Sequence, residues 1–271
     1  MTPRFATANG LRMAHVTAGT SGPWVVLAHS LASSHAMWRP QIATLASNGF
    51  RVLAFDARGH GATDAPPGPY AIATMAQDLR ALMDEVGIAR AHVVGLSMGG
   101  AMAQEFALAH PNRLRGLVIA DATSAYPAAS HPMWRERAAA VESGGMAAVA
   151  DGTLGRWFTP GWREANPERL ADVRAMILAT PPQGFVGAVH ALIGFDLADQ
   201  LGDVRAPTLV LHGSEDQALP PAQGERIAAL IPGARFALVE GAAHIANLEQ
   251  PARFDALLLP FLREASETTA D

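Results

Sequence analysis

The stretch Ala91-His92-Val93-Val94-Gly95-Leu96-Ser97-Met98-Gly99-Gly100 constrains this chain more than any other. A short β-type run meets a turn of the pattern G-x-S-x-G, and an Ala- and Met-rich stretch with helical character follows. To lift the Ser97 hydroxyl clear of a sheet, the chain must reverse within about one residue, which strains the serine backbone and crowds its neighbours. Gly95 and Gly99 remove the side chains that would collide, and Gly100, Ala101 and Ala103 keep the following helix thin on one side. The helix start also brings the Met98 N–H and the positive end of the helix dipole beside Ser97. A nucleophile and half of an oxyanion hole come from five residues.

Composition narrows the chemistry. All 20 basic residues are arginine, so no mechanism that needs a lysine amine is open to the chain. Cysteine is absent, which excludes disulfides, a thiolate nucleophile and a thiolate metal site. A net charge of −5 with scattered arginines argues against a nucleic-acid or anionic-membrane partner. The opening MTPRFATANGLRMAH lacks the apolar stretch of a secretory signal, and no run approaches the roughly 18 apolar residues of a membrane span. The expectation is a cytoplasmic protein with a small-molecule partner. No His, Asp or Glu group shows metal-ligand spacing, so neither a metal nor another cofactor is expected.

Along the chain, Arg12 to Thr17, Trp24 to Ala28, Phe50 to Phe55, Ala91 to Val94 and Leu114 to Ala120 read as strands, with helices predicted over Met37 to Ala46 and about 71–86. This alternation predicts a mostly parallel, doubly wound sheet with ligands at the C-terminal strand ends. From about residue 124 to 196 the rhythm changes to short helical pieces broken by Gly and Pro. That stretch reads as a helical cap inserted after the sixth strand, between core segments 1–123 and 197–271. A lid over a site must be apolar inside to exclude water. The core resumes with strands at Thr208 to His212 and Arg235 to Val239, then a helix opened by Pro251 and a frayed tail from Ser266.

A serine hydroxyl needs a base to take its proton, and the base needs a third group to fix its tautomer. The elbow and its topology resemble the α/β-hydrolase fold, in which the chain order is Ser, acid, His. On that resemblance His244, after the final strand, is the base. Asp216, after the penultimate strand, is the acid, with Asp121 after the sixth strand as the alternative. Leu31, in the loop His29-Ser30-Leu31, supplies the second oxyanion N–H beside Met98, although Ser30 stands where glycine is commonest. His60, flanked by Gly59 and Gly61, reads as a brace for its loop. Serine rather than aspartate at 97 disfavours dehalogenase and epoxide-hydrolase chemistry and predicts carbonyl attack and an acyl-enzyme.

Several segments are similar to the 3-oxoadipate enol-lactonase family: Ser30-Leu31 with Met37-Trp38, Arg58-Gly59-His60-Gly61 through Tyr70, the elbow itself, Arg156-Trp157-Phe158-Thr159-Pro160, and Ala243-His244-Ile245-Ala246-Asn247-Leu248-Glu249-Gln250-Pro251. The resemblance implies hydrolysis of a lactone ring, with Trp134 and Arg137 as contacts for a substrate carboxylate and Trp157 in the substrate wall. A second reading pairs Arg137 with Glu136 or Glu142 on a helix surface. The chain departs from the family at Ala32, where glycine is usual, and in the apolar segment 190–195. Those departures keep acyl-homoserine lactones and simple esters open as substrates. A perhydrolase or haloperoxidase, or a small-molecule receptor on the same fold, are the remaining readings.

Overall fold

The computed structural model describes residues 2–268 and gathers eight strands into one sheet. The strands are β1 (Arg4–Ala8), β2 (Leu11–Ala18), β3 (Trp24–Ala28), β4 (Arg51–Phe55), β5 (Ala91–Leu96), β6 (Leu114–Ala120), β7 (Thr208–Gly213) and β8 (Arg235–Val239). They lie in the order β1-β2-β4-β3-β5-β6-β7-β8, with the first two pairings antiparallel and the rest parallel. β5 is buried along its whole length, as expected of a central parallel strand covered on both faces.

Strand order sets where the helices go. The step from β3 to β4 runs one way across the sheet, whereas the steps from β4 to β5 and β5 to β6 run the other way. Right-handed crossovers therefore place α1 (Arg39–Ser47) on one face and α2 (Ile72–Val86) and α3 (Met98–Ala109) on the opposite one. The reversal falls between β3 and β5, and the loops after those two strands carry Leu31 and Ser97.

Five helices occupy the chain between β6 and β7: α4 (His131–Gly144), α5 (Ala147–Trp157), α6 (Pro160–Ala165), α7 (Pro167–Leu178) and α8 (Pro182–Ile193). An antiparallel bridge between Ala125 and Asp196 and the bond from Leu197 N–H to Ser124 C=O hold the two ends of this stretch together. Phe158, Ile177 and Phe185 are buried within it. Among the described residues no single helix is long and apolar enough to cross a membrane. The chain closes through α9 (Pro221–Leu230), α10 (Ala246–Glu249) and α11 (Pro251–Thr268).

Three local readings change. β1 is an additional strand, half-exposed at the sheet edge, joined to β2 by Asn9 and Gly10, both at positive φ (49° and 76°). The helix predicted from Met37 begins as a 3-10 turn at His35, capped by the Ser34 hydroxyl, before α1 starts at Arg39. The tail expected to fray from Ser266 continues as helix to Thr268, because Ser266 Oγ donates to Leu262 C=O at 2.7 Å and lies 2.9 Å from His92 Nε2. Residues 269–271 lie outside the described residues.

Candidate active site

Ser97 stands between β5 and α3 at φ 56° and ψ −113°, a left-handed conformation that a residue with a Cβ adopts only under constraint. The constraint is steric closeness around it. A Cβ on Gly95 would overlap the Gly99 carbonyl, and one on Gly99 would overlap the carbonyl of Ala28 at the end of β3. The turn is welded to the neighbouring strand at a spacing only glycine allows. The Gly99→Ala variant is expected to lose about 3 kcal/mol of stability, because the clash is with backbone. A urea titration showing a lowered midpoint at unchanged slope would check it.

His244 reaches the serine from the loop between β8 and α10. Its Nε2 lies 2.9 Å from Ser97 Oγ and its Nδ1 2.8 Å from Asp216 Oδ2. A carboxylate only accepts, so Nδ1 carries the proton and Nε2 keeps a lone pair for the serine hydroxyl. Asp216 is itself fixed: its Oδ1 accepts the N–H groups of Ala218 and Leu219 at 2.8 and 3.0 Å. Glu215 beside it is exposed.

Asp121 makes no hydrogen bond to the imidazole, whose Nδ1 is held by Asp216. Asp121 is fully buried at φ 46°, its Oδ1 accepts the Gly213 N–H at 2.7 Å, and its Oδ2 has no partner among the described residues. Burial, reinforced by the charge of Asp216, pushes its carboxyl well above the usual carboxylate range. Asp121, His212 and Asp216 offer ligand-type atoms within 4.8 Å of one another, a proximity that sequence spacing does not reveal. The cluster fits a cation poorly. Asp216 already serves three N–H donors, and His212 Nε2 is committed to Leu219 C=O at 3.0 Å.

Met98 and Leu31 are the expected backbone donors beside the serine. Met98 is the first residue of α3, so its N–H has no acceptor within the helix. Leu31 follows Ser30 in a loop where Ala32 takes φ 57°, the left-handed value that explains why glycine suits this position. Ser30, Leu31, Ser97 and His244 line one cavity of about 240 Å³. His60 is buried against His29, with ring centroids 5.2 Å apart, and its Nδ1 lies 3.0 Å from Arg58 C=O within its own loop.

The helical stretch supplies the opposite wall, where Trp134, Arg137 and Trp157 all line the cavity. Arg137 donates to Thr153 Oγ1 at 3.0 Å, and its guanidinium carbon lies 4.8 Å from the Trp134 ring centroid. No carboxylate pairs with it among the described residues, so neither Glu136 nor Glu142 plays the part the surface reading gave them. Burial, with Arg156 nearby, pulls the Arg137 guanidinium down to about 10.

A model of the α/β-hydrolase fold matches residues 23–251. The chain belongs to the α/β-hydrolase family. This hydrolase is 32% identical over 250 residues to 3-oxoadipate enol-lactonase 2 of Acinetobacter baylyi, covering 92% of each chain. The enol-lactonase from Burkholderia xenovorans LB400 superposes on it with a TM-score of 0.93 at 36% identity, over 96% of this chain and all of that one. A thermophilic esterase from Thermogutta terrifontis, solved with malate bound, superposes at a TM-score of 0.92 and 30% identity, over 98% and 99% of the two chains.

Among the other residues of the hydrolase that line the cavity are Arg156, Tyr126 and Gln223. Arg156 adjoins Trp157 in a segment already marked as family-like, so a signal for it existed. Tyr126 and Gln223 had none, because one follows β6 in an irregular loop and the other sits in the first turn of α9.

Proposed function

We propose that this hydrolase cleaves a carboxylic ester or lactone that carries a free carboxylate, through an acyl-enzyme on Ser97. The observation that carries the reading is a hydrogen-bonded Ser97–His244–Asp216 line opening into a cavity whose far wall holds a half-buried arginine with no acidic partner. Ser97 Oγ attacks the carbonyl carbon while His244 Nε2 takes its proton. The carbonyl oxygen becomes an oxyanion facing the Leu31 and Met98 N–H groups. His244 then returns the proton to the leaving oxygen as the C–O bond breaks; in a lactone that oxygen stays tethered to the acyl group. Water, deprotonated by His244, releases the acid and restores Ser97.

Arg137 gives the carboxylate its place. Its Nε has no partner and its charge is poorly solvated, so an incoming anion recovers what burial costs. The enol-lactonase relatives and the malate-bound esterase support a carboxylate-bearing client.

The test is turnover of a carboxylate-bearing enol-lactone, an acyl-homoserine lactone and a series of p-nitrophenyl esters, by the native protein and by Arg137→Met. The expected result is preference for the enol-lactone, with KM raised about 10- to 100-fold in the variant, the value of a charged hydrogen bond. p-Nitrophenyl acetate should respond little. Equal loss on all three substrates would remove the carboxylate from the reading, and turnover surviving in Ser97→Ala would remove the acyl-enzyme.

A further inference from the structure

Glu249 is 4% exposed, and its carboxylate sits where the His244 loop meets the helical stretch. Its Oε2 accepts the N–H of Ala243, the residue before His244, at 2.7 Å. Its Oε1 accepts both the N–H and the hydroxyl of Thr159, at 3.0 and 2.5 Å. A parallel tie runs from Ile245 N–H to Trp157 C=O at 3.1 Å. Residues 157–159 and 243–245 are thus laced together on either side of the histidine.

All three partners of Glu249 are donors, so the site accepts hydrogen bonds at both oxygens and offers none. A glutamine would turn an NH₂ against an N–H whichever way it faced. Three charge-assisted bonds offset the cost of burying the charge, but an apolar side chain would seat the same two segments at less cost. What an apolar seat could not do is aim the backbone on both sides. His244 must hold two bonds at once, 2.8 Å to Asp216 and 2.9 Å to Ser97, and the Ala243 N–H just before it is fixed by Glu249. Trp157 must keep its face on the cavity.

We infer that Glu249 is a positioning residue that sets His244 against Ser97 through Ala243 and, through Thr159, seats the Trp157 wall on the same site. The inference rests on the reading of Ser97 and His244 given above, and it deepens that reading. Both the aim of the base and the shape of the cavity depend on one carboxylate, so the helical wall and the base move together.

Diisopropyl fluorophosphate separates the possibilities, because Ser97 Oγ displaces fluoride from phosphorus with the help of His244 and the small probe needs no substrate wall. Labelling of the native protein that is absent in Ser97→Ala supports the underlying reading; no labelling of the native protein overturns that reading. With labelling established, Glu249→Gln is expected to slow it about 10- to 100-fold, the scale of a misplaced catalytic group, and to lower kcat for an ester by a similar factor. Thr159→Val weakens the arm to the helical stretch, removing the hydroxyl bond to Glu249 and the cap on Trp162 N–H while the Thr159 N–H stays on Oε1. It should label at the native rate while raising KM for the ester several-fold, and Thr159→Ser should restore KM. Native-rate labelling of Glu249→Gln, or equal slowing by Thr159→Val, overturns the positioning role. Should Glu249→Gln lose its native circular dichroism, Glu249→Asp serves instead: its shortened carboxylate cannot span both segments, and slowed labelling supports the role while a native rate overturns it.

Discussion

Asp216→Asn is expected to lower kcat by about 10⁴-fold, while Asp121→Asn stays within a few-fold of the native protein. An asparagine at 216 keeps an oxygen for the Ala218 and Leu219 N–H groups, so the loop survives. Its NH₂ then faces His244 Nδ1, and a donor there forces the proton onto Nε2. An Nε2–H pointing at Ser97 cannot take the serine proton. Asp121 offers the opposite case. Burial already favours its neutral acid, which an amide imitates, and its Oδ1 bond to Gly213 N–H remains available. Turnover of a p-nitrophenyl ester by the two variants decides the matter. A large loss in Asp121→Asn with a small one in Asp216→Asn would move the acid to Asp121.

The serine, histidine and aspartate were legible because strand topology, not side-chain packing, gathers them. β5, β7 and β8 run parallel, so the loops that follow them open at one sheet edge wherever the strands are correctly read. β1 is hard to read from sequence because Arg-Phe-Ala-Thr-Ala is short, half-exposed and weakly patterned, although Asn9-Gly10 between it and β2 is a strong hairpin signal. Arg137 could not be resolved from sequence, since its acceptor, Thr153, lies on another helix. The approach of Asp121 to Asp216 was invisible for a similar reason: β6 and β7 become neighbours only after the chain has passed through five intervening helices. Glu249 stood in a segment marked as family-like, but its bonds run mainly to backbone N–H groups, which no side-chain pattern records.

The second large effect is on stability in mild acid. His60, His92 and His212 are buried, and burial lowers them to about 3, 4 and 4 respectively. Each donates through one nitrogen, His60 Nδ1 to Arg58 C=O, His92 Nε2 to Ser266 Oγ and His212 Nε2 to Leu219 C=O, and leaves the other without a partner among the described residues. A second proton would be buried with nothing to accept it. Above pH 6.5 the rings are neutral in folded and unfolded chains alike and cost nothing. Below it the unfolded chain takes up protons the folded one refuses, so stability falls by about 1.4 kcal/mol per pH unit for each ring until its folded value is reached. By pH 5 the three together cost roughly 6 kcal/mol, against a total stability of about 5–15 kcal/mol for a typical domain. Asp121 works in the opposite sense, since a carboxyl raised by burial favours the folded state at low pH. That gain builds as pH falls from its raised folded value towards its unfolded value near 4, so it offsets part of the loss from the three histidines. Urea titrations are therefore expected to give a constant midpoint from pH 8 to 7 and a steep decline between 6.5 and 5. In His92→Leu the slope over that interval should ease by about 1.4 kcal/mol per pH unit. A midpoint that stays level down to pH 5 would mean that these rings accept protons in the folded chain, and that their burial is not what limits the protein in acid.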